Sequence, residues 1–418
     1  MSALNFKRTK LACYTAYFTM ASIFSVPPIL FMTFHNLYDI SYTLLGTLVL
    51  TNFCTQMLVD LIFTMFSKKF NIKKVVRIMP CITALGLFVY GLIPNLFPQY
   101  AYLGLVIGTI IFSVSAGLSE VLLSPVIAAI PSDNPQKDMS MLHSLYAFGF
   151  FTMVVASTLF LKFFGNENWL YLVLFLGTLP LAAAILFKIS PFPELNNEET
   201  AEKNKVKNKN RTIGLALCVG SIFLGSCAEN TMSNWISTYM ENALNIDKAL
   251  GDILGVAMFA ILLGLTRIMY AKYGKNICRF LLVSFICAAV CYLAISVSTN
   301  KIIGFIGCVL VGIFTSMLWP GTLIMMEEKV KGVGVAAYAL MASAGDFGAS
   351  LAPQLMGIVI DNVSTSQFAR DMGNALSLAP EQIGLKVAML ITSIFPILGA
   401  ILLTFIIKFF KKEKAQEI

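Results

Sequence analysis

The sequence is dominated by apolar segments that are each about as long as a helix crossing a lipid bilayer. A membrane-spanning helix needs about 20 mostly apolar residues, and the segments of this length lie near 11–32, 42–66, 78–94, 100–122, 141–163, 168–188, 212–240, 250–270, 279–297, 302–326, 333–360 and 387–408. The short alternating segments typical of a membrane β-barrel are absent from the sequence. The sequence therefore predicts an all-α integral membrane protein with twelve transmembrane helices.

Basic residues are concentrated on alternate connections between these segments. If the N-terminus is inside, the outer side holds only five of the 30 Lys and Arg residues, namely Lys162, Lys248, Lys301, Arg370 and Lys386. This bias follows the positive-inside rule, which explains the net charge of +8 without a nucleic-acid partner. We therefore predict a multi-pass protein of the cell membrane with both termini in the cytoplasm.

The cysteines give no sign of a metal site or of a disulfide framework. All nine fall within or directly beside predicted spans and form no C-x-x-C pair, so they are interpreted as small apolar residues. We predict that the protein binds neither a metal nor a cofactor. The first apolar segment is longer than the core of a signal peptide, and we predict that it is a retained span.

One long polar stretch separates the sixth segment from the seventh. Residues 191–211, PFPELNNEETAEKNKVKNKNR, are rich in Asn, Glu and Lys, a composition typical of a flexible linker. We predict that this linker lies in the cytoplasm between two six-helix domains, 1–190 and 212–418. Secondary transporters are often built from such repeats and bind substrate near the bilayer midplane.

A weak internal sequence similarity supports a duplication. SKKFNIKK (67–74) follows the second segment and AKYGKN (271–276) follows the eighth, and both place lysines around an aromatic residue.

Over essentially its whole length, the chain resembles the major facilitator superfamily. SKKFNIKK resembles that family's signature of an acid, a base, a glycine and further bases, although Lys68 stands where the acid is expected and Asn71 where the glycine is. The gating charge relay of this loop is therefore not expected here in its usual form.

Three further regions resemble the fucose-permease-like branch of sugar symporters. They are GLSEVLLSPVIAAIP with SMLHSLYAFG, AENTMSNWISTYM and SAGDFGASLAPQLMG, in the fourth and fifth, seventh and eleventh helices. The glycine-proline signature expected in helix five of many drug exporters is missing from HSLYAFGFFTMVV. The resemblance implies the major facilitator fold, with twelve helices in two pseudo-symmetric bundles, and a sugar or a sugar derivative as solute.

Polar side chains inside the predicted spans are the candidate functional residues, because a charged group in hydrocarbon costs about 2.5–3.5 kcal/mol. In the seventh segment, Asn230 and Asn234 lie one helical turn apart, beside Glu229. Carboxylate and amide groups can bond the hydroxyls of a polyol, while the ring of Trp235 can pack against its C–H faces. We predict that these four residues bind substrate. For Trp235, an anchor at the membrane interface is the alternative.

Two further acids lie deep in predicted spans. Glu120, in the fourth segment, is predicted to bind substrate or to carry a proton, with a structural hydrogen bond as the alternative. Asp346 lies between Gly345 and Gly348, and small residues let helices approach closely. It is predicted either to couple transport to protons or to make a packed contact between helices.

The remaining candidates are assigned to gating or proton transfer. Asp60 shares a helix face with Asn52 and Gln56, which indicates a gate contact on a polar stripe facing the protein interior. His143 is suited to a proton relay or to a hydrogen bond at a helix terminus. Arg267 is expected to extend toward the interface, with a cavity role or a pairing with an acid as alternatives.

Several function classes are disfavoured by the sequence. G-x-S-x-G, H-E-x-x-H and P-loop motifs are absent, so neither an enzyme nor an ATP-driven pump is predicted. We predict a monomeric secondary active transporter that moves a small polar solute, a sugar or sugar derivative, by alternating access and proton symport. The solute, the proton and the lipid bilayer are its expected partners. The alternative is an exporter of drugs or amphipathic metabolites by proton antiport.

Overall fold

The fold is built from α-helices. The computed structural model describes residues 6–66, 70–133, 135–193, 209–330 and 335–416. Within these ranges the chain forms long helices joined by short connections, and it contains no β-strand. The predicted all-α fold is confirmed.

The first part of the chain contains six long helices. They are α1 (Lys7–Tyr38), α2 (Tyr42–Phe66), α3 (Ile72–Leu96), α4 (Ala101–Ala128), α5 (Pro135–Phe164) and α6 (Trp169–Ile189). Helix α1 packs against α4, α5 and α6, and α3 packs against α4 and α6. Short 3-10 turns lead into α4 and α6.

The second part, over the residues that the structure describes, contains long helices and several shorter ones. They are α7 (Lys209–Thr238), α8 (Lys248–Leu250), α9 (Met258–Tyr273), α10 (Ile277–Val297), α11 (Lys301–Thr315), α12 (Pro320–Lys329), α13 (Val335–Ser364), α14 (Gln367–Leu376), α15 (Pro380–Thr392) and α16 (Ile394–Gln416). π-Helical turns continue α7 over Tyr239–Ala243 and join α8 to α9 over Gly251–Ala257. Helix α7 packs against α13 and α16, and α10 packs against α11 and α16.

Within the described residues, each of the twelve predicted segments lies mostly on helices. Ten helical stretches within the described residues are long and apolar enough to cross a membrane. The fifth and eleventh segments lie on α5 and α13, which have 30 residues each. At about 1.5 Å per residue, each is longer than the hydrocarbon layer is thick. Among the residues whose side chains the structure describes, Phe148–Phe164 forms an apolar stretch of α5.

The chain divides into two compact units. The first unit comprises Met1–Ile40 and Thr51–Glu199, and the second comprises Ser41–Leu50 and Thr200–Ile418. Helix α2 is therefore shared, since its first turns belong to one unit and the rest of it to the other. The domain bounds predicted from the linker stay a prediction, because linker residues 194–208 lie outside the described residues.

The two loops of similar sequence, which precede α3 and α10, lead into the same kind of helix cap. The side chain of Asn71 accepts a hydrogen bond from the backbone N–H of Lys74 at the start of α3, over 3.1 Å. Asn276 accepts one from Arg279 at the start of α10, also over 3.1 Å. The φ of Asn71 is −80°, so the glycine of the family signature is not required at this position. Lys68 lies outside the described residues.

Close packing of α7 against α13 depends on glycines, as their spacing predicted. A Cβ atom on Gly348 would lie 2.5 Å from the backbone oxygen of Phe223, which only a shift of the backbone could relieve. The hydroxyl of Ser226 donates to the backbone oxygen of Gly345 at 2.6 Å. Asp346 lies between these two glycines and is half-buried.

Candidate functional site

The candidate site in the second unit is centred on an ion pair between α7 and α9. Nη2 of Arg267 donates to Oε1 of Glu229 at 3.2 Å, and Nε of Arg267 donates to the backbone oxygen of Ser316 at 2.8 Å. The side chains of Glu229 and Arg267 are 16% and 41% exposed. Among the described residues, nothing donates to the buried Oε2 atom of Glu229. The carboxylate therefore keeps one unused acceptor.

The structure shows the pairing of Arg267 with an acid that was the alternative prediction. The side chain is still 41% exposed, so its extension toward the interface stays a prediction. A guanidinium has several N–H groups in a planar fork, so it can hold a carboxylate and a backbone carbonyl at the same time. The positive charge of Arg267 is therefore paired with the carboxylate of Glu229 on α7. A gating or proton-coupling role for Arg267 stays a prediction.

The two amides beside Glu229 are oriented by their own helix. Nδ2 of Asn230 donates to the backbone oxygen and the hydroxyl of Ser226, at 3.2 and 3.1 Å. Nδ2 of Asn234 donates to the backbone oxygen of Asn230 at 2.8 Å. Because these bonds use the amide nitrogens, the side-chain oxygens are the atoms suited to accept from a hydroxyl.

Trp235 is fully buried rather than placed at a membrane interface. Its exposure is 0%, and its Nε1 donates to the backbone oxygen of Pro353 at 3.1 Å. Its ring lies 6.0 Å from the ring of Tyr42, centroid to centroid. Tyr239 is equally buried and donates to the backbone oxygen of Ile295 at 2.8 Å. In this conformation Trp235 acts through packing, and its contact with substrate stays a prediction.

A second group of acids lies in the first unit. Glu120 on α4 is exposed, and its carboxylate interacts electrostatically with Asp60 on α2 and with Tyr17 on α1. Oδ1 of Asp60 is buried and has no hydrogen-bond partner among the described residues. Two carboxylates that act on each other repel when both are charged, and a proton on either of them would relieve the repulsion.

The polar stripe predicted on α2 faces α4. Asn52 and Gln56 are 8% and 3% exposed. Nε2 of Gln56 donates to Oδ1 of Asn52 at 2.9 Å, and the hydroxyl of Ser113 on α4 donates to the same atom at 2.7 Å. These bonds fix the face of α2 that carries Asp60 against the helix that carries Glu120.

The predicted site residues are divided between the two units. Asp346 lies on α13 in the second unit, whereas Asp60 and Glu120 belong to the first unit. His143 is in α5, but its side chain lies outside what the structure describes. Within the described residues, no group of three or more His, Cys, Asp or Glu side chains is arranged to hold a metal. Roles for Asp346 and His143 stay predictions.

The sequence interpretation missed a charge cluster before α9. Nζ of Lys248 lies 3.3 Å from Oε2 of Glu241 and 3.5 Å from Oδ2 of Asp252, and the hydroxyl of Ser237 donates to the other oxygen of Asp252. Both acids lie in π-helical turns. The spacing of four residues between Lys248 and Asp252 is a local signal that indicates their contact. No comparable signal points to Glu241.

A second missed contact places a carboxylate at the start of α2. The backbone N–H of Tyr42 donates to Oδ1 of Asp361 on α13 at 3.1 Å, and that of Thr43 donates to Oδ2 at 2.7 Å. Thr43 and Asp361 are 318 residues apart in the chain. No local spacing in the sequence indicates this contact.

Comparison with known proteins gives the chain its family. The sequence matches the profile of the Major Facilitator Superfamily over residues 12–353, and no curated protein matches it. Among solved structures, it is similar to the nucleoside transporter NupG, with 14% identity, coverage of 96% of this chain and 98% of that chain, and a TM-score of 0.68. It is also similar to a bacterial homolog of the human lysosomal transporter Spinster, with 14% identity, 98% and 99% coverage and a TM-score of 0.76.

A crystal structure of a D-xylose-proton symporter is also similar, with 13% identity, coverage of 93% of this chain and 96% of that chain, and a TM-score of 0.71. At such identities the similarity concerns the fold and leaves the branch of the family open. The family profile, in contrast, matches most of the chain. The protein is therefore a multi-pass membrane protein that belongs to the Major Facilitator Superfamily, a family of transporters.

Proposed function

We propose that this protein is a secondary active transporter that moves a small polar solute, a sugar or sugar derivative, by alternating access with proton symport. Membership of the family supports secondary transport. Solved proteins with this fold include a nucleoside transporter and a D-xylose-proton symporter, so sugar-containing solutes and proton coupling occur on the same scaffold. The stretches that resemble the fucose-permease-like branch support the choice of a sugar.

The observation that carries the proposal is the ion pair of Glu229 and Arg267 in membrane-spanning helices. Removing two charges from water costs several kcal/mol per ion, on the order of what their attraction returns, so such pairs are more often functional than stabilising. The unused oxygen of Glu229 and the side-chain oxygens of Asn230 and Asn234 lie on one helix. Together they suit a solute with several hydroxyl donors.

The proposed proton site is the carboxylate pair of Asp60 and Glu120. Glu120 is exposed and its charge acts on Asp60, so uptake of one proton would relieve the repulsion between them. Asp346 and His143 are alternative carriers. In this proposal, the sugar binds to the second unit and the proton binds to the first.

In the proposed orientation, both termini lie in the cytoplasm. The protein is proposed to be a monomer in the cell membrane. The concentration of basic residues on alternate connections supports this orientation through the positive-inside rule.

Uptake of sugars into proteoliposomes tests the proposal. A thermal-shift screen of the purified protein against sugars, nucleosides and organic acids selects the solute, whose labelled form is then used for transport. We expect uptake that falls about tenfold when a protonophore collapses the proton gradient, and Glu229→Gln should weaken binding about tenfold, since hydrogen bonds to a charged group contribute about 1.5–3 kcal/mol. Glu328→Gln, at an exposed glutamate one residue before the end of α12, is the matched control.

Each part of the proposal can fail separately. Uptake that persists unchanged without a proton gradient contradicts symport. Wild-type affinity in Glu229→Gln contradicts the solute site. Stabilisation by amphipathic drugs and by no sugar favours the exporter alternative.

A further inference from the structure

Helix α14 presents an exposed apolar stripe along one of its faces. Phe368, Met372 and Leu376 follow one another at spacings of four residues, which places them one above the other on an α-helix. Their side chains belong to residues that are 54%, 37% and 43% exposed. An apolar stripe on one side of a helix is typically covered, either by the rest of the protein or by lipid.

The other faces of α14 contact protein and water. Ala369 and Gly373 are buried, and α14 packs against α13 and α15. The polar residues of the helix are exposed on the side away from the stripe, and they are Gln367, Arg370, Asp371 and Asn374. The stripe is therefore a third face, which neither α13 nor α15 covers.

The charges of the polar face are paired within α14. Nε2 of Gln367 donates to Oδ1 of Asp371 at 2.8 Å, and Nε of Arg370 donates to Oε1 of Gln367 at 3.1 Å. Arg370 and Asp371 also carry opposite charges, so this face has no net charge. Electrostatic attraction to anionic lipids is one of two forces that bind helices to a membrane surface, and buried apolar area is the other. For α14 the apolar stripe must supply the binding.

The helix that carries the stripe is closed by caps at both ends. A helix of ten residues is marginal in water without such support. The hydroxyl of Ser366 accepts from the backbone N–H of Ala369 at 3.1 Å, as an N-cap does. Ser377 has a left-handed φ of 55°, and the N–H of Leu378 donates to the backbone oxygen of Gly373 at 2.9 Å, which closes the C-terminal end. The stripe is therefore presented by a formed helix.

The length of the following span places α14 at the depth of the lipid headgroups. Pro380–Lys412 has 33 residues and is about 50 Å long, whereas the hydrocarbon layer takes about 20 residues. Lysines near a helix end extend to the membrane surface, so this layer begins near Lys408 and leaves roughly residues 380–387 outside it. The exposed large apolar side chains of this span accordingly begin at Leu390. The connection from α14 enters the span at its outlying end.

We propose that α14 is a membrane-interface helix whose stripe inserts between phospholipids at the boundary of headgroups and acyl chains. Helices of this kind bury their apolar face about 5–10 Å into that boundary. The bilayer is favoured over a protein partner because α14 is connected directly to a membrane-spanning stretch, at the end that emerges among the headgroups. The proposal does not depend on what the protein transports.

Tryptophan fluorescence of the full-length protein in phosphatidylcholine nanodiscs tests the proposal. Phe368→Trp, Met372→Trp and Leu376→Trp each place an indole on the stripe, and the emission of the parent, with its three native tryptophans, is subtracted. We expect the added emission to be blue-shifted and to be lost when the lipid carries bromine near the top of its acyl chains. Bromine near the chain ends should quench it less, because the expected depth is only about 5–10 Å.

Asn374→Trp is the matched control, since Asn374 is exposed on the polar face of the same helix. Its added emission should be red-shifted, should be quenched by aqueous iodide and should not respond to bromine in the lipid. Phosphatidylcholine has no net charge, so insertion in this lipid tests the stripe alone. If one stripe variant does not fold, the other two positions still test the proposal.

Two results would overturn the interface helix. Quenching of the stripe variants by iodide, to the extent seen with Asn374→Trp, would show that the stripe lies in water. Blue-shifted emission that bromine quenches at neither depth would show that protein, such as a second copy of this chain, covers the stripe. Sugar uptake enters neither result, so either failure would leave the proposed function standing.

Discussion

Glu229 on α7 and Arg267 on α9 are joined by a hydrogen bond of 3.2 Å, while the same guanidinium holds the backbone oxygen of Ser316 on the connection after α11. One side chain thus links three parts of the second unit. It also neutralises a carboxylate whose second oxygen is left without a donor among the described residues. The pair combines a structural link with a polar group suited to a solute.

Replacing Arg267 by lysine should separate the effect of its positive charge from the effect of its planar, forked shape. Lysine keeps the positive charge, but it has no planar fork with which to hold Glu229 and Ser316 together. We expect Arg267→Lys to reduce uptake about tenfold and to lower the free energy of unfolding by about 1–2 kcal/mol, less than the loss of a fully buried pair because Arg267 is 41% exposed.

Proteoliposome uptake and thermal unfolding in detergent measure the two effects of Arg267→Lys. Arg370→Lys is the control, because Arg370 is exposed on α14 and bonds its own helix through Gln367. Equal uptake by Arg267→Lys and the parent would contradict a role for the fork.

Gly348 should tolerate no larger residue. In Gly348→Ala the added Cβ would lie 2.5 Å from the backbone oxygen of Phe223, and relief of this overlap should cost about 1–3 kcal/mol. In Gly264→Ala the added Cβ meets no atom within 4 Å, and alanine is favoured over glycine inside a helix by about 0.5–1 kcal/mol.

The two alanine variants should therefore shift thermal unfolding in opposite directions. A comparable decrease for both would show that α7 and α13 are not held at the distance described. An increase for Gly264→Ala alone would confirm that the difference arises from the packing at Gly348.

The ion pair of Lys10 and Asp138 should make stability depend on acid pH. The two side chains lie 2.5 Å apart, and hydrogen bonds from Lys10 and from Ser132 lower the pKa of Asp138 below its usual value. The unfolded-state pKa of an aspartate is about 3.9. The stabilisation is therefore present above about pH 4 and is lost as the pH falls through the lower folded-state pKa.

Asp138→Asn measures this contribution. At pH 7 the variant should be less stable than the parent by about 0.5–1 kcal/mol, since the pair is partly exposed. The difference should shrink as the pH falls below about 4. Thermal unfolding in detergent at a series of pH values gives both curves, and parallel curves down to pH 3 would contradict the role of Asp138.

Asn71 and Asn276 should contribute equally to the helices they begin. Asn71→Ala and Asn276→Ala each remove a cap, at a cost of about 1 kcal/mol. Asn71→Gly restores the residue of the family signature, and it should cost only a few tenths of a kcal/mol. Hydrogen exchange at the amides of Lys74 and Arg279 should accelerate in the alanine variants. Unchanged exchange would contradict the caps.

The helices could be predicted from the sequence because length and apolar content alone determine what crosses a bilayer. The polar interruption around Glu229 was also informative, since polar groups stay in membrane helices only where something contacts them. The eleventh span carries Asp346, which lowers its apolar content.

Contacts between helices distant in sequence could not be predicted in the same way. Arg267 is 38 residues from Glu229, and nothing in the local pattern of either helix shows that their faces meet. Asp361 carries no local signal of its contact, because its partners are backbone N–H groups with no side-chain signature. Lys248 and Asp252 were within reach of local reasoning through their spacing of four residues.

The matching caps at Asn71 and Asn276 show what the two loops of similar sequence have in common. Each loop makes a hydrogen bond of the same length to the third residue of the next helix, although the residues around it differ. A search for this loop by its glycine would miss both loops, whereas one that accepts any helix-capping residue there would find them. The common feature at this place is a bond, which any amino acid with a suitable capping side chain can make.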